Sequence, residues 1–332
     1  MLESLNNKNV LLISPKFFGY DDIIVSRLEK AGANVTLVYE DMDEVSYKYR
    51  FVNAYMPKKM PAVMNKYFLK AIMPVAEKLD YVLMIRGEFL NPVVLETVKA
   101  KTPAYCKYCM YQWDSAKNNA NALAIKDFFD YVSTFDPDDA EELGWTYRPL
   151  FYLPELIKDT KEEYDVLYLC SLHSKRIEVL NRLKDICAKK GLSLYKRVYS
   201  KKIIYYKRKY LNKREGYINA DNADISSKKL FVSDSYDYYN KSRIIVDYTH
   251  PGQSGFTMRT IEALGCKKKL ITNNKNVLDA DFYDPNNIYV YDGENVDIPD
   301  EFLKEPFRTP REDIYQKYSV DSWLKSIMNL SE

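Results

Sequence analysis

The stretch "RIIVDYTHPGQSGFTMRTIEALG" runs from Arg243 to Gly265. Its first seven residues hold a β-branched apolar run and read as a buried strand. "TMRTIEALG" carries apolar residues at helical spacing. Between the two lie His250, Pro251, Gly252, Ser254 and Gly255, in a chain with only two histidines and ten glycines. That concentration points to a strand-to-helix turn built for close approach of a ligand. Gly252 and Gly255 can take backbone angles closed to other residues and let a ligand approach closely. Thr257 offers a hydroxyl where the helix starts, and the helix amino end favours an anion by about 0.3–1 kcal/mol. The chemistry indicated is a phosphate or diphosphate. Glu262, five residues on, is placed to accept two hydroxyls of a ribose, as acids do in dinucleotide folds. Spacing alone leaves another reading open: a glycine-rich connector with ordinary capping, and Glu262 solvated or salt-bridged.

The same rhythm extends along the chain. "NVLLIS", "NVTLVY", "YVLMIR", "YCKYCMYQW" and "YVSTF" read as strands, each followed by a helical segment. Gly32 is expected to close the first helix, Asn91 and Pro92 to open another, and Pro74 to kink the helix of "AVMNKYFLKAIMPVAEKLD". "YRPLFYLPELIKDTKEEY" breaks the pattern and reads as a junction. Strands and helices then resume with "YDVLYLCS", a helix capped by Ser174 and Gly191, "LSLYKRVYS", the short helix "DSYDYYNKS", "RIIVDYT", "KKLITNN" and "IYVYD". Runs this apolar imply parallel sheets covered on both faces. The fold class expected is α/β, with two tandem Rossmann-like doubly wound domains facing a cleft. Residues 1–155 would form the first domain and 164–310 the second. Residues 311–332 would form a C-terminal helix that packs back on the first domain. A chain of 332 residues suits two cores better than one.

Composition narrows the function classes. The chain is 46% hydrophobic and 29% charged, with a net charge of +2, so bulk charge argues for neither nucleic acid nor membrane. "MLESLNNKNVLLIS" does not read as a secretion signal, and no run is long and apolar enough to span a bilayer. Five cysteines fit free thiols in a reducing cytoplasm. "CKYC" (Cys106–Cys109) lacks a second ligand pair at zinc spacing and reads as two buried thiols on a strand. The local exception to charge balance is "KRVYSKKIIYYKRKYLNKREGY" (residues 196–217). A solvated insertion, a contact with anionic lipid headgroups and a stack for single-stranded nucleic acid are all compatible with its lysines and tyrosines.

"HPGQSGFTMRTIEALGCKKKLITNN", with "YDYYNKSRIIVDYT" before it and "DFYDPNNIYVYD" after it, resembles the donor-binding half of GT-B glycosyltransferases. The likeness is to the bacterial surface-polysaccharide and spore-maturation-type subgroup. It extends more loosely to "MIRGEFLNP", "YQWDSAKNN" and "FDPDDAEELGWTYRPLFY". The resemblance implies a hexosyltransferase-type enzyme with a UDP- or GDP-linked sugar donor, a glycan or lipid-linked glycan acceptor, no metal, no further cofactor and no nucleic acid partner. It implies a cytoplasmic location, and a lipid-linked acceptor would suit the lipid-headgroup contact read above as one alternative for residues 196–217. Glu262 would hold the ribose, while Thr257, Met258 and Arg259 would meet the diphosphate and Gly255 would let it approach. Many retaining members carry two glutamates separated by seven residues; counting back from Glu262, the earlier position here is Ser254. His250, with His173 and Arg176 from "CSLHSKRIEVL", would face the diphosphate or sugar. Tyr236 would wall the base.

On the acceptor side, a carboxylate that follows a strand can deprotonate an attacking hydroxyl, worth about 10²–10⁴-fold in rate. Glu88, after "MIRG", and Asp114, after "YQW", are the candidate catalytic bases, with Asp21 and Asp22 behind them. The alternative is that they cap helices. "DAD" (Asp279–Asp281) and "DPDD" (Asp136–Asp139) resemble the metal-binding acids of the GT-A fold but read more simply as turns or helix starts. The competing functions are a nucleotide-sugar epimerase of GT-B-like fold and a non-catalytic two-domain binding protein. A nicotinamide oxidoreductase is disfavoured, because "SPKFFGYDD" has one glycine where that fingerprint wants three.

Overall fold

The structure, a computed structural model, describes residues 2–40, 51–52, 54–213, 215–218, 220–250 and 252–331. Part of the Tyr- and Lys-rich stretch before residue 60, Arg214 of the basic run and Pro251 of the glycine loop lie outside the described residues. The chain divides into two compact units, Met1–Pro149 with Val320–Glu332, and Leu150–Ser319.

The first unit holds a parallel sheet of β1 (Asn9–Ser14), β2 (Asn34–Tyr39), β3 (Tyr81–Ile85), β4 (Lys107–Gln112), β5 (Tyr131–Thr134) and β6 (Thr146–Tyr147), ordered β2-β1-β3-β4-β5-β6. The second repeats the plan with β7 (Tyr164–Ser171), β8 (Leu194–Tyr199), β9 (Ile225–Ser226), β10 (Ser242–Asp247), β11 (Lys269–Thr272) and β12 (Ile288–Val290), ordered β12-β11-β10-β7-β8-β9. The two-residue edge strands β6 and β9 are too short to leave a periodic trace in the sequence.

Central strands are buried on both faces, as their unbroken apolar runs require. Every residue of β1 after Asn9 is buried, and all of β11. On one side of the first sheet, Leu11, Ile13, Val82 and Met84 join the helices Met60–Ile72 and Pro92–Lys99 through Phe68, Val94 and Val98. On another strand, Tyr111 meets Trp323 of the helix Val320–Ile327 edge-to-face, 5.0 Å between centroids.

Local chemistry sets the helix ends. Gly32 sits at φ +86° just past the helix Tyr20–Lys30. The Asn91 side chain accepts the Val94 N–H at 3.3 Å, with Pro92 opening the helix. Three expectations are corrected. The helix Met60–Ile72 stops before Pro74 rather than kinking through it, because proline would remove a helical hydrogen bond and clash with the preceding turn. Ser174 does not cap the helix Arg176–Lys190: it has φ +51°, and its hydroxyl lies 3.1 Å from His173 Nδ1. The C-terminal stretch forms two helices, Glu312–Lys317 and Val320–Ile327, which belong to different units.

Both sheets reverse their winding direction beside the first strand, between β1 and β3 and between β7 and β10. The crevice outside the carboxyl ends of such strands is where open α/β sheets take ligands.

Candidate functional site

At the switch point of the second unit, β10 ends in Asp247, whose side chain is fully buried. Three groups converge on its carboxylate. Thr257 Oγ1 donates to Oδ2 at 2.8 Å, Thr249 Oγ1 donates to Oδ2 at 3.1 Å, and Arg259 Nη1 donates to Oδ1 at 2.5 Å. Thr257 is also the N-cap of the helix Met258–Gly265, its Oγ1 accepting the Thr260 N–H at 3.2 Å. Asp247 therefore ties the start of the loop, its end and the first helical turn to the strand. Burial works against the Arg259 charge, but Asp247, Tyr239 and Cys170 outweigh it and hold the guanidinium above its ordinary pKa.

A second layer of side chains fixes the loop from outside. Asn273 clamps Thr249 at two points, accepting its N–H at 2.7 Å and donating to its carbonyl at 3.1 Å. Asn274 Nδ2 donates to the carbonyls of Ser254 (3.2 Å) and Gly255 (3.1 Å), and Asn276 Nδ2 donates to Ser254 O at 3.1 Å. Sequence reasoning passed over these three asparagines, taking Asn273 and Asn274 of "TNN" only as a strand end and leaving Asn276 unread. The signal was there: amides following a parallel strand beside a glycine loop can satisfy its backbone carbonyls.

Arg176 was expected to face the diphosphate or sugar, or else solvent, and it is not in solvent. Its side chain is buried, with Nε and Nη2 donating to Tyr248 O at 3.2 and 2.9 Å and Nη1 to Ser171 O at 3.4 Å. It splices the carboxyl ends of β7 and β10, which leave carbonyls that need donors. Tyr236 is corrected in the same way. It is a core residue, its hydroxyl accepting the Leu153 N–H at 2.8 Å, and it presents no wall to a base. Glu262 is 1% exposed and lies against Tyr239, whose hydroxyl bonds it and whose pKa is driven far up by burial and by that carboxylate. The Thr257 hydroxyl is committed to Asp247 and its own helix.

The two histidines meet at this end of the sheet, their ring centroids 6.1 Å apart. His250 is exposed, its Nδ1 accepting the Gly252 N–H at 3.3 Å. Burial holds the His173 pKa down at about 4, with help from the positive charges of Arg176, Arg259 and Arg208.

In the first unit the acids fall into two groups. Asp21 is buried in the first turn of the helix Tyr20–Lys30, accepting the Phe17 N–H at 3.2 Å and the Tyr39 hydroxyl at 2.9 Å. Glu88 and Asp114 come together with Arg86 at the ends of β3 and β4. Arg86, at φ +74°, pairs with Glu88 at 3.1 Å and with Glu40 at 2.7 Å. Gln112 and Asn119 hold its carbonyl at 2.6 and 2.8 Å. Burial raises the Asp114 pKa, and the Arg86 charge partly offsets that rise. Glu40, one residue beyond β2, escaped the sequence reading. It is fully buried, and burial lifts its pKa to about 7 against the pull of Arg86. Neither acid run forms a metal cage among the described residues. Asp136 caps the helix Pro137–Leu143, Asp139 accepts the Ala116 N–H at 2.6 Å, and Asp281 binds Lys317 and Tyr318 at 2.6 Å each.

Two Rossmann-like units in tandem, each a six-stranded parallel sheet flanked by helices, define the GT-B fold. Solved structures share it. A glycosyltransferase from Rickettsia africae is 14% identical with a TM-score of 0.52, over 98% of this chain and 100% of that one. Sucrose-phosphate synthase from Thermosynechococcus elongatus is 11% identical with a TM-score of 0.60, over 98% of each chain. Anabaena HepE, in complex with UDP and glucose, is 11% identical with a TM-score of 0.55, over 97% of this chain and 99% of that one. No protein-family model and no curated protein matches the sequence. At these identities the likeness is one of fold.

Proposed function

We propose that the chain is a glycosyltransferase that takes a nucleotide diphosphate sugar at the second unit's switch point and passes the sugar to a hydroxyl of a glycan acceptor. The observation that carries this reading is the glycine loop at a strand-to-helix turn of the switch point, its backbone pinned by Asp247 and three asparagines. A preorganised loop suits a leaving diphosphate, because its dipoles need not reorient as negative charge develops. The loop backbone at Gly252 and Gly255, the N–H groups of Met258 and Arg259, and the imidazoles of His173 and His250 are the groups assigned to the donor. Arg259 side-chain chemistry is reserved for Asp247. Glu262 takes the ribose only if its bond to Tyr239 is exchanged for the ribose hydroxyls. Asp114 is the favoured base, since a carboxyl raised by burial is better matched to proton abstraction near neutral pH than an exposed one. Glu88 then orients Arg86. Metal independence, a UDP- or GDP-linked hexose and a surface-polysaccharide acceptor complete the proposal.

Thermal unfolding against UDP, GDP and NAD, with and without EDTA, tests it. A ligand at a hundred times its Kd adds about 2.7 kcal/mol of stability. Stabilisation by UDP or GDP that persists in EDTA is the expected result. No response to either nucleotide, or a response to NAD alone, refutes the assignment.

A further inference from the structure

The helical segment after β8 is built inside out. It runs as Lys202–Tyr206 and continues in wider π turns over Lys207–Leu211. Ile203, Tyr206, Tyr210 and Leu211 stand at i, i+3, i+7 and i+8, close to the spacing of one helix face. In an ordinary surface helix such a face turns to the core. Here it turns to water: Ile203 is 77% exposed, Leu211 76% and Tyr210 56%.

What faces inward is the polar side. Tyr205 is buried in the core of the second unit, its hydroxyl donating to Ala220 O at 3.2 Å and Asn222 Oδ1 at 2.9 Å. Arg208 donates to Leu172 O at 2.9 Å and to Tyr217 Oη at 3.1 Å. Lys209 reaches Asn222 Oδ1 at 3.1 Å. The segment is therefore held with its apolar face outward by specific bonds.

Charge identifies what that face meets. Nine of the nineteen residues from 196 to 214 are Lys or Arg, and none is Asp or Glu. Lys201, Lys202, Lys207 and Lys213 are exposed around the apolar face. Exposed isoleucine and leucine ringed by lysine is the chemistry of a helix lying in a membrane interface, apolar groups among the acyl chains and ammonium groups at anionic headgroups. Single-stranded nucleic acid would use the lysines and tyrosines but gain nothing from Ile203 and Leu211. No described helix is long and apolar enough to cross a membrane, so the contact is peripheral.

We propose that residues 201–213 dock the protein on the surface of an anionic lipid bilayer. This stands independently of the transferase reading. The test is co-sedimentation of the full chain with equimolar phosphatidylglycerol–phosphatidylcholine vesicles and with pure phosphatidylcholine vesicles. Binding to the first, weakened by added salt, and little to the second is expected. Ile203→Ser with Leu211→Ser should weaken binding about tenfold or more, and Lys202→Gln with Lys207→Gln by roughly fivefold per charge. Both pairs lie on the exposed side, so an unchanged unfolding temperature shows that the fold is intact. Equal sedimentation with both vesicle types, or a serine pair that binds like wild type, overturns the proposal. So does tight binding of a single-stranded oligonucleotide that the serine pair leaves intact while vesicle binding is absent.

Discussion

Asp247→Ala should destabilise the second unit by about 3–5 kcal/mol, a large part of the 5–15 kcal/mol typical of a domain. The chief loss is electrostatic. Removing one partner of a buried ion pair leaves the other charge uncompensated, at about 3–5 kcal/mol. The Arg259 side chain retains 18% exposure, so water relieves part of that, and the lower end applies. The hydroxyls of Thr249 and Thr257 also lose their acceptor, about 1 kcal/mol each where they cannot turn to another. Asp247→Asn keeps the shape and one acceptor oxygen and should cost less. Asp247→Ala combined with Arg259→Met removes both charges and should recover stability relative to Asp247→Ala alone. Tryptophan fluorescence would miss all of this, because Trp113, Trp145 and Trp323 all lie in the first unit. Amide hydrogen exchange in β10 and β11 reads the right unit. A drop below about 1 kcal/mol in Asp247→Ala, or a double variant no more stable than the single, would show that Asp247 is not the keystone of the loop.

Two further perturbations probe the same unit. His173 takes up a proton near 6.5 when unfolded but near 4 in the native protein, so the native state binds fewer protons between those values and loses stability as pH falls through that window. His173→Gln should flatten this acid slope in a calorimetric series from pH 7 to 4, and an unaltered slope would remove His173 from the account. Gly265→Ala should destabilise by about 1–3 kcal/mol although alanine is the better helix former. Its Cβ would stand 2.4 Å from Cγ of the buried Tyr152, whose ring packs on Tyr315 at 4.9 Å. A rise in unfolding temperature would contradict that packing.

Much of this protein was legible along the chain. Strands such as "NVLLIS" and "RIIVDYT" declare themselves because a parallel strand buried on both faces must be apolar throughout. Gly32, Asn91 and Pro92 act within a few residues, so their roles travel with the sequence. "CKYC" read as two buried thiols, and burial does drive Cys106 and Cys109 up to about 12. The glycine loop was placed at a strand end and helix start from local pattern alone. The roles of individual side chains at the site were not, because each depends on a partner far away in sequence. Arg176 looked like a ligand or a surface residue until Tyr248, 72 positions on, supplied its acceptor. Tyr236 and Tyr239 sit three apart on one helix, yet one takes a backbone N–H from Leu153 and the other a carboxylate from Glu262.

The basic run shows the division most plainly. Sequence by itself determined its charge and the helical spacing of Ile203, Tyr206, Tyr210 and Leu211. Only the tertiary structure decided that this apolar face looks outward, because helical periodicity is a property of one segment. Which side is buried depends on what the rest of the fold offers it: here the carbonyls of Leu172 and Ala220 bind the polar side and leave the apolar side to water.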